Sequence, residues 1–178
     1  MRFEVQGPYL IKTRSIIRAE HIRDLKAEID QNDSESALLG APGCYIFGVK
    51  STGAKRVIPW YVGKAERQSV FKEATNPAHL QLFNEILDEY ERGHPALIFL
   101  PQVTNTGRPA QIAKGEGRKP AVDFLEDWLI AAALKANPGL YNIKKTKMLN
   151  ELWVRGLFNP TQGDATTASQ ALKASLRL

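Results

Sequence analysis

Two tyrosines stand in glycine-flanked, strand-like segments, Gly43-Cys44-Tyr45-Ile46-Phe47 and Trp60-Tyr61-Val62-Gly63-Lys64. A phenol can orient a water molecule. It can also accept the water's proton, if a nearby cation favours the phenolate against an ordinary pKa near 10. Lys64 and Lys72 are the candidates for that cation. The plainer alternative for both tyrosines is core packing with the hydroxyl satisfied at the rim. Farther along, Asp123, Glu126 and Asp127 are spaced i, i+3 and i+4 in a helical pattern, which gathers them in a sector of about 100°. That sector reads either as the wet side of an amphipathic helix or as a hard-cation site. Mg²⁺ typically takes one or two carboxylates and completes its shell with water and substrate phosphate. Glu126 sits at the edge of the sector and is expected to be the most sheltered of the three.

Net charge is +5, and two stretches carry the excess. Arg108, Lys114, Arg118 and Lys119 face only Glu116 within 104–120, and Lys144, Lys145, Lys147 and Arg155 face only Glu151 within 141–155. Clustered cations attract a polyanion because neutralising phosphates releases condensed counterions; they also decorate ordinary basic surfaces.

The elements that must position these groups follow from pattern. Residues 3–11 read as a strand broken near Gly7-Pro8. Ile17, Ile22, Leu25 and Ile29 mark one side of a helix that the polar run Gln31-Asn32-Asp33-Ser34 ends. Gly43 to Val49 and Val57 to Gly63 form a hairpin through a turn at Gly53. Ser69 is suited to cap a short helix, and Pro77 to open the next, carrying Leu80, Phe83 and Leu87. Ala96–Leu100 is an uninterrupted apolar strand, the pattern of one covered on both faces. A long loop over 104–120 precedes a helix over 121–136 that is apolar nearly all round. Residues 159–167 read as a linker and the last ten as a short helix.

A chain of 178 residues with 43% hydrophobic content suits one domain with a substantial core. Cys44 is the only cysteine, so no internal disulfide forms and no zinc-ligand spacing exists. No apolar run reaches membrane-spanning length, and Met1-Arg2-Phe3-Glu4 does not begin a signal peptide. A cytoplasmic location without membrane association is expected.

The paired Gly-x-Tyr and Tyr-x-Gly strands, the helix after the second glycine, the Glu126-Asp127-Trp128-Leu129-Ile130 segment, and Pro138 with Asn142 occur in an order that resembles the GIY-YIG nuclease superfamily. The resemblance covers roughly residues 42–145. It implies an α+β fold, a small three-stranded, antiparallel-containing sheet flanked by helices, in a domain placed at 42–158. It leaves unexplained residues 1–41, a strand and helix expected to pack on that core as an extension, and 159–178, expected as a linker and tail. It implies hydrolysis of DNA phosphodiesters with one Mg²⁺ or Mn²⁺ held by Glu126, Tyr45 as general base and Tyr61 as orienting partner. Gly63 would permit close approach, and Asn142 would support the site. DNA is the implied partner, held by Lys64, Arg108, Lys114, Arg118, Lys119, Lys144, Lys145 and Lys147, with target choice left to a possible protein partner. Three departures stand out. Fifteen residues separate Tyr45 from Tyr61. Lys72, assisted by Arg67, occupies the place of a family arginine and keeps its charge without the bidentate fork. His79 falls late for the family histidine and is expected at the surface near a helix start. The alternative is a non-catalytic nucleic-acid-binding or interaction domain on the same fold.

Overall fold

Strand alternation on the central hairpin divides the molecule into layers. The computed structural model describes residues 1–13, 15–89, 93–112, 119–142 and 165–176. Strand β3 (Gly43–Lys50) pairs antiparallel with β4 (Ile58–Ala65), placing Tyr45 opposite Gly63 and Phe47 opposite Tyr61. Tyr45, Phe47 and Val49 point into one core, while Cys44 joins Val62 in another, as the two-residue period of a strand requires. The first core is covered by α1 (Ala19–Ile29), α2 (Asp33–Leu39), α3 (Val70–Ala74) and α4 (Pro77–Glu89). The second is covered by α5 (Pro120–Ala136), which contributes Val122, Leu129, Ile130 and Ala133.

The sheet has five antiparallel strands. β5 (His94–Val103) lies between β3 and two short N-terminal strands, β1 (Arg2–Phe3) and β2 (Gln6–Leu10), both paired to it. Residues 1–41 are therefore built into the sheet and core of a larger α+β fold than the three strands expected. The break expected at Gly7-Pro8 is an irregularity within β2, where that peptide bond is cis. Helix α2 lies where only a helix end was expected. The Asn32 side chain accepts the Ser34 and Glu35 amides and starts a new helix instead. Ser69 caps α3 through the Lys72 amide at 3.2 Å, as its type suggests. The strand expected over 96–100 extends from His94 to Val103, and the chain then turns over Thr104 to Arg108. Helix α6 (Thr167–Leu176) accounts for most of the short C-terminal helix expected. The apolar segment Leu149 to Trp153 and residues 159–164 of the expected linker lie outside the described residues.

Strand β4 is the edge of the sheet, and unpaired edge groups invite association with other chains. The segment after α5 covers it. Asn137 donates from its side-chain Nδ2 to the Pro59 carbonyl at 2.8 Å, and the Tyr141 backbone amide donates to that of Trp60 at 2.8 Å. Asn142 takes the Val62 amide on its Oδ1 at 2.8 Å and donates from Nδ2 to the Val62 carbonyl at 2.6 Å.

Candidate functional site

Gly63 makes the tyrosine site possible. A Cβ at this position would come within 2.3 Å of the Tyr45 hydroxyl and Cζ, so the Tyr45 ring rests directly over the bare backbone of its strand partner. Tyr45 is fully buried, with 0% exposure. Tyr61, two residues before Gly63, is half-buried, and its ring centroid lies 6.2 Å from that of Tyr45.

His79 closes the cluster. Expected at the surface, it is instead partly buried, with its ring edge-on to Tyr45 at 5.6 Å and 5.7 Å from Tyr61. Asn76 takes the His79 amide at 2.9 Å. This fixes the first turn of α4 and carries the side chain inward. His79 Nδ1 lies 2.8 Å from the Glu73 carbonyl, and Nε2 lies 2.9 Å from the Tyr45 hydroxyl. A carbonyl can only accept, so in the neutral imidazole Nδ1 carries the proton and Nε2 accepts from Tyr45. Tyr61 is a second hydrogen-bond partner of the Tyr45 hydroxyl. Burial, followed by the influence of Tyr61 and Glu73, pushes the Tyr45 hydroxyl well above the ordinary tyrosine range. It is held as a neutral phenol. Asn76 and Pro77 were the available sequence signal for this arrangement. They mark a helix start, but not the turn between α3 and α4 that aims its first side chains at the sheet.

Glu126 belongs to a second cluster, on the α5 side of β4. Its carboxylate is the most sheltered of the three, at 8% exposure, while Asp127 is exposed and Asp123 intermediate. Lys64, next to Gly63 but on the opposite face, extends its ammonium among Glu126 at 3.7 Å, Glu66 at 3.4 Å and Asp123 in close contact. The charge of Glu126 adds the smallest of the contributions that raise the Tyr45 hydroxyl. Glu126 and Asp123 are hard oxygen donors one helical turn apart, which matches the one or two carboxylates that Mg²⁺ takes from protein. Among the described residues no three His, Cys, Asp or Glu side chains gather into a cage for a metal.

The remaining expected residues are placed differently. Lys72 lies exposed on α3 and Arg67 is exposed before it; no ion pair joins either side chain to the tyrosines among the described residues. Lys64 is occupied by carboxylates rather than offered to a phosphate. The Lys119 amide donates to Glu66 at 2.7 Å and its ammonium to the Gln111 carbonyl at 2.7 Å; burial lowers its pKa. Arg108 is exposed in the turn after β5. Lys114, Arg118, Lys144, Lys145 and Lys147 lie outside the described residues. Helix α5 is not enclosed all round as its composition suggested, because Phe124 and Trp128 are 73% and 60% exposed. Among the described residues no helix is long and apolar enough to cross a membrane. Comparisons with protein-family models, curated proteins and solved structures find no match to the chain.

Proposed function

We propose that the chain is a metal-dependent endonuclease of GIY-YIG type that hydrolyses DNA phosphodiester bonds in the cytoplasm. The observation that carries this reading is the Tyr45 hydroxyl seated over Gly63 and delivered to His79 Nε2. A hydrophobic core has no need for such a chain of polar groups, and proton transfer does. Tyr61, the less buried tyrosine, meets the attacking water. As the water's proton passes to the Tyr61 oxygen, the Tyr61 proton moves to Tyr45 and the Tyr45 proton to His79. The imidazolium that results is stabilised by the Glu73 carbonyl at 2.8 Å and by the Glu73 carboxylate, 3.8 Å from Nδ1. This relay delivers base catalysis without forming a buried phenolate. It exchanges the roles first expected of the two tyrosines, with Tyr61 outermost.

Glu126, with Asp123 beside it, would hold one Mg²⁺ or Mn²⁺. Such an ion polarises the scissile phosphate and stabilises the leaving oxygen. Arg108 and the basic residues of 104–120 and 141–155 would bind the DNA backbone, with any target preference supplied by a protein partner. Plasmid nicking in Mg²⁺ or Mn²⁺ tests the proposal. Cleavage by the wild type that is lost in both Glu126→Ala and His79→Ala supports it. The exposed position of Lys72 and the full burial of Tyr45 favour, as second reading, a binding domain without catalysis. Salt-sensitive DNA binding with no cleavage by the wild type would establish that reading instead.

A further inference from the structure

Lys64 is placed as no other described cation is. It rises from β4 immediately after Gly63, its side chain is only 27% exposed, and its ammonium is shared by three carboxylates, two from α5 and one from the turn that follows β4. Two of these, Asp123 and Glu126, are the carboxylates assigned above to the metal. The third, Glu66, is fixed by the Lys119 amide at 2.7 Å, so the acceptor set is held from the far side as well. An ammonium within 4 Å of a carboxylate occupies the space and satisfies the charge that a bound cation would claim.

We infer that Lys64 is a tethered counter-ion at the Glu126 carboxylate, which a divalent metal must displace in order to bind. The inference rests on the metal reading of Glu126. It gives that reading a built-in restraint: the site is electrostatically satisfied without metal, and the ion enters by taking Glu126 from Lys64. Lys64 stays anchored through its backbone in β4 and keeps Glu66 as a partner when Glu126 is withdrawn. Its ammonium is then available to the solvent side. A lysine that merely positions Glu126 would act in the opposite sense, since its removal would weaken metal binding.

Mn²⁺ binding to the full-length protein, followed by the loss of the free-ion paramagnetic resonance signal, separates these cases. Lys64→Met is expected to bind Mn²⁺ about tenfold tighter than wild type, the lower end of what outer-shell changes typically do to metal affinity. The added Glu126→Gln change is expected to abolish that binding. A second measurement leaves the chain unaltered: acetylation of Lys64 in wild type, read by mass spectrometry, is expected to rise severalfold at saturating Mn²⁺. If wild type binds Mn²⁺ through Glu126, but Lys64→Met binds equally or more weakly and Lys64 acetylation does not rise, the counter-ion inference is overturned and the metal reading stands. If Glu126→Gln leaves Mn²⁺ binding unchanged, or neither protein binds Mn²⁺, the metal reading fails and the inference falls with it.

Discussion

At the scale of single residues, His79 and Tyr45 make an exchange that can be measured. His79 gives the Tyr45 hydroxyl its acceptor, and Tyr45 itself has no exposure to water. His79→Ala leaves that hydroxyl without its acceptor, a loss of about 1–3 kcal/mol for a buried polar group. On the proposed relay it also removes the final proton acceptor, so cleavage falls by about a hundredfold or more. Denaturant unfolding and nicking rates on the same samples separate the two effects. The pH dependence of stability is a second consequence. Tyr45 and Tyr9 both hold their protons more tightly in the folded chain than tyrosine ordinarily does; burial is the leading cause at each, with Glu35 adding to it at Tyr9. Below the unfolded tyrosine pKa near 10 both states are protonated and this contribution is complete. Above it the unfolded chain ionises first, so stability falls as pH rises. Unfolding midpoints measured from pH 8 to 11 should decline steeply for wild type and less steeply for the Tyr9→Phe/Tyr45→Phe double variant.

At the scale of elements, the hairpin shows what sequence pattern can and cannot specify. The hairpin and the need for a close approach at Gly63 were legible from the two apolar strands and the turn between them, but the register that seats Tyr45 on Gly63 was not. Gly63→Ala tests that seat. The new methyl must displace the Tyr45 ring, at a cost of about 1–3 kcal/mol typical of overpacking, and thermal unfolding should show the loss. The shelter of Glu126 was legible from helical angles alone, because α5 keeps a regular 100° step. The place of His79 was not, since it depends on the angle between two helices separated by Thr75 and Asn76. The exposure of Phe124 and Trp128 escaped for a related reason: composition reports how apolar a helix is, not how much of its circumference the sheet covers. Asn142 lies between these extremes. Its place in the order of motifs marked it, but its double hydrogen bond to Val62 is a strand-edge function that no spacing announces. Asn142→Ala should cost about 1–3 kcal/mol through the unsatisfied Val62 groups. It should also increase self-association in light scattering by opening the β4 edge.

At the scale of the whole molecule, the question is whether the first 41 residues are an accessory or part of the fold. Family resemblance began at residue 42, and a boundary there would leave a small hairpin-centred unit. The core does not respect that boundary. Ile11, Ile17, Leu25, Ile29 and Leu39 are buried in the same cluster as Tyr45, Phe47, Phe83 and Phe99. β1 and β2 complete the far side of β5, whose central position requires partners on both edges. Tyr9 reaches Glu35 at 2.8 Å, and Asn84 of α4 grips the Ile17 backbone at 2.6 and 3.0 Å. The N-terminal segments are thereby tied to one another and to the helix that presents His79. Burying each such aliphatic side chain contributes about 1.5–3 kcal/mol, whereas a domain's entire net stability is about 5–15 kcal/mol. Removing five of them together with two strands takes away stabilisation comparable to the whole margin. A chain starting at Pro42 is therefore expected to be unfolded or aggregated. Circular dichroism and size-exclusion chromatography of that fragment, beside the full chain, check this expectation. A soluble, cooperatively unfolding fragment would show instead that the sheet needs only β3, β4 and β5, and that residues 1–41 are the appendage their sequence position first suggested.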